Sequence, residues 1–297
     1  MWLVAGRASV IFDLPTATQS RGAVVPGAPL GLRQAIRAQL GVGAAPKRTS
    51  GPVGRGRRQK GRQRAGGPGG QPDPDLLRSL DDLTKAQAWY WADGPGSVTP
   101  PGHWNLIAQE VARRRGHTLG QDAKLFFALN NALLDASIVA WDAKRAFNSM
   151  RPITAVRWIM ENETILAWAP NQGSRVEMRG TRWRPFLPTP SFAEYISGHS
   201  TFSAAAVLRS FTGSDSFSFL ATVAQGSIPS SIESGVPTTS VTLSWSSFTD
   251  LAASASLSRQ IGGIHFQDGD LHARATGTDC GKAAYTKWTF RNRLWAA

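Results

Sequence analysis

Apolar side chains recur at intervals of three and four along Ala123 to Phe147: Leu125, Leu129, Ala132, Ala136, Val139 and Ala143. That spacing predicts a long amphipathic helix. Leu83 to Trp91 predicts an aromatic-rich helix with a core-packing role, and His103 to Arg115 another, with Trp104, Ile107 and Val111 on one side. His103 is read as a cap or core residue, and His117, after Gly116, as a turn residue. Further helices are predicted from Arg151 to Glu161, from His199 to about Phe211, from Ser247 to Ile261 and from Asp270 to Trp288. Only Val241–Trp245 alternates like a short strand. Asn162 to Pro190, broken by four prolines and two glycines, reads as a long irregular loop, and Gly226–Thr239 as turn-rich. No internal repeat is evident. The expected fold class is all-α, a helical bundle.

The first 74 residues break this pattern. After a short apolar start and one short helical stretch at Leu32–Leu40, Lys47–Gly70 is almost entirely Arg, Gly, Pro and Gln. Such a composition buries too little apolar surface to order itself. We therefore divide the chain into a disordered basic extension, 1–74, and a helical domain, 75–297, with Asp75 as a candidate cap at its entrance. The charge divides the same way. Residues 1–75 hold twelve Lys/Arg and three Asp/Glu, so +9 of the net +13 lies there. Nothing suited to reading bases accompanies the basic run, so nucleic acid is not expected as a partner. Apolar content of 41% is enough for a sizeable core. No run approaches the ~18 apolar residues of a membrane span, and the first residues lack the features of a secretory signal, so no membrane partner is expected and localisation stays open. Cys280 is the sole cysteine, which excludes an intrachain disulfide.

The chemistry concentrates where a polar turn meets an Ala-rich helix, in Glu194-Tyr195-Ile196-Ser197-Gly198-His199-Ser200. Ser197 or Ser200 is placed to cap the helix, Gly198 permits close backbone approach, and free N–H groups at a helix start favour an anion. His199 would exchange protons beside it. Lys144 and Arg151 are seven apart, about 700° of helix rotation, hence nearly one face. Pro152 then stops or kinks that helix. Arg259 sits on the last turns of the Ser247–Ile261 helix, with Gly262-Gly263 and His265 following. Three cations, a glycine-backed turn and two histidines suit a tetrahedral oxyanion. Asp135 and Asp142, also seven apart, are expected to pair with an arginine in the bundle or to steady a site residue. Trp183, Phe186, Phe192 and Tyr195 are candidates for the site wall, with loop packing the equal alternative.

The ordered set Lys144…Arg151-Pro152, Ser197-Gly198-His199 and Ser258-Arg259…His265 resembles the superfamily of vanadium-dependent haloperoxidases and type 2 phosphatidic acid phosphatases. Trp91–Gly96, Thr99–Trp104, Trp141–Lys144 and Gly263–Phe266 are more similar to soluble bacterial-type haloperoxidases. The resemblance covers about Asp75 to Lys287. It implies a vanadate cofactor, with phosphate able to occupy the same place. His265 would be the metal ligand, His199 the acid–base residue, and Lys144 catalytic in polarising peroxide. Lys144, Arg151 and Arg259 would neutralise the oxyanion, and Ser197 and Gly198 would donate hydrogen bonds. The implied partners are hydrogen peroxide, a halide and an organic acceptor; a homo-oligomer stays open. The alternatives are a soluble acid phosphatase with His265 as nucleophile, and a non-catalytic oxyanion-binding relative. One position departs from the phosphatase motif. An Asp is expected four residues after the second histidine, where this chain has Gly269, flanked by Asp268 and Asp270; either is expected within reach of the ring.

Overall fold

Five helix starts carry local signals that the structure uses. In this computed structural model, residues 43–44, 80–202 and 205–295 are described. Helix α1 (Asp82–Tyr90) is capped by Asp81, whose carboxylate accepts the Thr84 N–H at 2.8 Å. Helix α2 (Thr99–Arg115) has proline in its first turn and ends on left-handed Gly116, followed by His117 as the spacing predicted. Helix α3 (Leu119–Phe147) begins with a Thr118/Gln121 capping box and stops at Asn148, whose φ of 41° is left-handed. Helix α4 (Pro152–Ile159) starts on Pro152. A single turn, α5 (Gly198–Thr201), and α6 (Ala205–Thr212) stand where one continuous helix was expected. Helix α7 (Phe248–Ile261) is capped by Ser247, and α8 (Gln267–Trp295) closes the bundle.

The fold is the expected helical bundle, with two corrections in its strands. The Asn162–Pro190 loop contains an antiparallel pair, β2 (Thr164–Ala169) and β3 (Gly173–Arg179). The two-residue β1 (Gly43–Ala44) extends this sheet by pairing with Leu166 and Ile165. The rest of the expected extension, the Leu32–Leu40 helix and the Asp75 cap lie outside the described residues. The second sheet pairs β4 (Ser216–Val223), which was not anticipated, with β5 (Val241–Ser247), which was. Each sheet packs on the bundle. Ile165 of β2 packs on Val156 and Met160, and Trp245 of β5 joins the main core of Trp91, Trp104, Ile107, Leu125, Leu129 and Leu251.

The buried face of α3 runs Leu125, Ala128, Leu129, Ala132, Leu133, Ala136, Ala140 and Lys144. Val139, placed inward by the sequence reading, is exposed, because the stripe continues through Ala140. Asp135 and Asp142 are also exposed, so neither needs the buried partner that was expected. Phe127, Leu134, Ile138 and Trp141 lie on the outer side. With apolar residues on both faces, the stretch Leu119–Ile159 is apolar enough by length and composition alone to cross a membrane, which is weak evidence for a span in a core helix of a bundle. Its inner face packs along α8 and on α2.

The approach of α8 to the turn α5 depends on a missing side chain. A Cβ on Gly277 would lie 2.2 Å from the Thr201 carbonyl oxygen. Gly277→Ala is therefore expected to destabilise by about 1–3 kcal/mol, despite the better helix propensity of alanine. Gly120→Ala in α3, where a Cβ meets nothing within 4 Å, is expected to be neutral or stabilising. Denaturant midpoints of the two variants check the opposite signs.

Candidate oxyanion site

The break between α3 and α4 brings the first two cations together. The sequence reading set Lys144 and Arg151 on one helix face. In the structure α3 has already ended at Phe147, and Arg151 is the residue preceding α4. The two side chains meet because the chain turns back at Asn148, and both are buried. Lys144 Nζ donates to the carbonyls of Ala193, Glu194 and Ile196 at 2.9, 3.0 and 2.6 Å. All three ammonium donors thereby hold the segment that leads into the Ser-Gly-His turn. Burial, with Arg151 nearby, brings the Lys144 pKa down to about 7. Arg151 donates through Nε to the Phe192 carbonyl and through Nη1 to the Ile264 carbonyl, each at 2.8 Å. The Phe192 ring lies 5.2 Å from Lys144 Nζ and 5.0 Å from the Arg151 guanidinium carbon. Phe192 is thus the wall residue. Trp183 and Phe186 pack into core clusters, and Tyr195 contacts Phe147 and His272.

The turn itself departs from a side-chain-capped helix start. Ser197 precedes α5, but no side chain caps it. Ser197 N–H goes to the Gly269 carbonyl at 2.9 Å. Ser200 Oγ donates to Ser197 Oγ at 2.8 Å and also contacts Asp270. Ile196 is buried between Ala140 of α3 and Ala273 of α8, which fixes the turn against the bundle. Within 4 Å of a Cβ on Gly198 there is only Phe202, at 3.7 Å, so packing inside the chain does not require glycine there.

Arg259 enters from α7, fully buried, with Nε on Ser258 Oγ at 3.0 Å and Nη2 on the Ala88 carbonyl at 3.1 Å. Burial lowers the pKa of Arg151 and of Arg259 to about 10, so both stay cationic at neutral pH. Left-handed Gly263, with φ of 71°, turns the chain so that His265 faces Arg151. His265 Nε2 lies 3.0 Å from Arg151 Nη1, and its Nδ1 lies 2.8 Å from Glu194 Oε1. Burial, then Arg151 and Lys144, hold the His265 pKa well below the usual imidazole value. Burial also raises Glu194 to about 7.

His199 stands on the other side, its Nε2 3.9 Å from Asp93. Asp93 in turn meets His103 Nδ1 at 3.0 Å, and the His103 ring stacks on Trp91. Burial and Arg259 keep His199 neutral at neutral pH. Two of these residues were missed as site residues. Asp93 lay within a run noted only for its resemblance, and Glu194 opened the central stretch without a role. The signal for Glu194 was Gly269, which leaves the second histidine without its expected carboxylate. Neither flanking residue supplies one. Asp268 is exposed, and buried Asp270 is taken by Ser200, Ser256 and Gln260, the last at 2.6 Å.

The donor set fits a tetrahedral oxyanion. Lys144, Arg151 and Arg259 are buried, and among the described residues no carboxylate lies within ion-pair distance of any of them. Their partners are carbonyls, a hydroxyl and an imidazole. Arg151 Nη2 and His199 Nε2 are buried without a hydrogen-bond partner. A buried guanidinium donor left open, beside cations satisfied only by neutral groups, is what an anion would complete. Among the described residues no cluster of His, Cys, Asp and Glu forms a conventional metal site.

Three buried cations and two histidines thus gather around one turn of a helical bundle. The comparisons narrow this. Residues 124–292 match the family model described as the VCPO second helical-bundle domain, which is more than half of the chain. The chain belongs to that haloperoxidase family. It is 32% identical over 142 residues to the vanadium chloroperoxidase of Curvularia inaequalis, covering 40% of this chain and 21% of that protein. Holo-type and apo-type structures of a bacterial vanadium-dependent chloroperoxidase superpose with a TM-score of 0.65 at 26% identity. They cover 73% of this chain, and 46% and 47% of theirs. This chain thus spans about a fifth of the curated relative and just under half of the solved ones.

Lys144→Met leaves three carbonyls without their donor. It is expected to lower stability by at least about 1–3 kcal/mol, the cost of unpaired buried acceptors. The exposed Arg145→Met is expected to change stability by no more than about 0.5 kcal/mol. Equal denaturant midpoints for the two variants would contradict the anchoring role of Lys144.

Proposed function

We propose that this domain carries a vanadate-dependent haloperoxidase site that halogenates organic substrates with hydrogen peroxide and a halide. The observation that supports this most is the set of three buried cations, without carboxylate partners, around the Nε2 of a neutral histidine. Lys144, Arg151, Arg259, Ser197 and Gly198 are the residues that would hold vanadate, with His265 as the metal ligand. Bound there, vanadate supplies a Lewis acid that keeps its oxidation state while peroxide, halide and a proton give hypohalous acid and water. His265 would offer the lone pair of Nε2 once Arg151 Nη1, which lies 3.0 Å from it, turns to the anion, with the ring proton held on Nδ1 by Glu194. Arg151 and Arg259, both buried, offset the anion's charge where little water screens them, so their effect is large. His199, neutral at neutral pH, takes the peroxide proton and returns it. Lys144 acts on peroxide only if one of its three carbonyls is exchanged for it; otherwise its part is to hold the turn. Residues 1–74 are proposed as an extension to the catalytic domain that meets it where Gly43–Ala44 pair with β2.

One observation favours a phosphatase as second reading. Glu194 gives His265 the carboxylate that a nucleophilic histidine needs, which Gly269 had put in doubt. His265 Nε2 would then attack phosphorus, the ester P–O bond would break, and His199 would protonate the leaving alcohol. Water would cleave the phosphohistidine.

The test is bromide-dependent halogenation of a phenolic dye with peroxide, with and without added orthovanadate. Activity is expected only with vanadate, and His265→Ala is expected to lower it by about 10²-fold or more. No halogenation, with hydrolysis of a phosphate monoester that vanadate inhibits, would move the assignment to phosphatase. Silence in both assays would leave an oxyanion-binding domain.

A further inference from the structure

We infer that Glu194 is the positioning residue for His265, and that Gly269 is glycine because this carboxylate occupies the space of a side chain there. The inference deepens the proposed function and rests on it only for the statement that Nε2 faces the bound anion.

The proton on His265 is assigned by its neighbours. A guanidinium only donates. Arg151 Nη1, 3.0 Å away, therefore requires Nε2 to accept. A neutral imidazole carries one N–H, so the proton is on Nδ1, donated to Glu194 Oε1 at 2.8 Å. The same oxygen accepts the Phe266 N–H at 3.1 Å, which fixes the carboxylate plane. The Glu194 backbone is pinned as well: its N–H donates to the Ser149 carbonyl at 3.1 Å, and its carbonyl accepts from Lys144 at 3.0 Å. Glu194, His265 and Asp270 are all buried, yet Asp270 is committed to two serines and a glutamine.

Gly269 lies on the first turn of α8, four residues after His265. A Cβ there would lie 2.3 Å from Glu194 Oε1 and 2.8 Å from Oε2. No side chain shares that space with the Glu194 carboxylate. An Asp at 269 and a Glu at 194 are therefore alternative ways to orient the same ring, and this chain uses the second. Orienting partners of this kind usually change metal affinity 10–100-fold when removed.

The experiment is a cycle on the full chain with Glu194→Ala, Gly269→Asp and the double variant, with Glu194→Gln as the conservative control. Nitrogen chemical shifts of labelled histidine side chains read the His265 tautomer, assigned with His265→Ala. Orthovanadate and phosphate affinities are measured by titration. The wild-type chain and Glu194→Gln are expected to show the Nδ1–H form. Glu194→Ala is expected to lose it and to bind orthovanadate about 10–100-fold more weakly, with a much smaller effect on phosphate, which forms no bond to nitrogen. Gly269→Asp is expected to be damaging beside Glu194 but to restore the Nδ1–H form and orthovanadate affinity in Glu194→Ala. An unchanged tautomer in Glu194→Ala, or equal effects of Gly269→Asp in both backgrounds, would overturn the inference. A tautomer that follows Glu194 while orthovanadate binds no better than phosphate would keep the positioning role and remove the vanadate reading instead.

Discussion

Buried positive charge that no carboxylate of the described residues pairs at ion-pair distance is the constraint on which the structure depends. Placing Lys144, Arg151 and Arg259 away from water costs free energy unless each finds partners. Carboxylates are not used within ion-pair distance of them. Lys144 is held by three carbonyls, Arg151 by two carbonyls and an imidazole, and Arg259 by a carbonyl and a hydroxyl. These neutral acceptors satisfy geometry, and Glu194, Asp93 and Asp270 offset the charge only from a distance. The three cations come from three elements, and His265 from the link between α7 and α8, so the bundle must be assembled before the site exists. The glycine contact of α8 on Thr201 and the packing of Ile196 between α3 and α8 hold the turn in that arrangement.

Much of this was legible in the sequence, for physical reasons that differ by element. The helices α1, α3 and α7 carry side-chain caps, and α2 a proline in its first turn, beside their periodic apolar faces, and their positions follow from both. The ordered cation and histidine motifs identified residues that do converge in space. Their local geometry was less legible. A spacing of seven suggested one helix face for Lys144 and Arg151, yet proximity comes from the reversal at Asn148, which spacing does not encode. Val139 fitted the three-and-four rhythm as well as Ala140 did, and only packing against α8 chose between them. The β2–β3 hairpin lay hidden among prolines and glycines because its pairing is set by cover over Val156 and Met160 rather than by alternation.

The carboxylates were the least legible part. Asp93, 106 positions before His199 in the numbering, is brought to it by α1 and α2, a contact that no local pattern announces. Glu194 reaches His265 across 71 residues. Its role became visible through what Gly269 excludes. A departure from a motif, read with the space it leaves, located the compensating residue. The same pair explains why this cage suits either metal ligation or nucleophilic attack: both need a neutral imidazole with its lone pair on Nε2.

The central claim is that the buried cations form a site for one tetrahedral oxyanion. Calorimetric titration of phosphate into the purified chain, repeated at saturating orthovanadate, tests it most directly. The account predicts one phosphate per chain, displaced by orthovanadate, with affinity lost in Arg259→Ala. Absence of binding, or binding that neither orthovanadate nor Arg259→Ala affects, would contradict it.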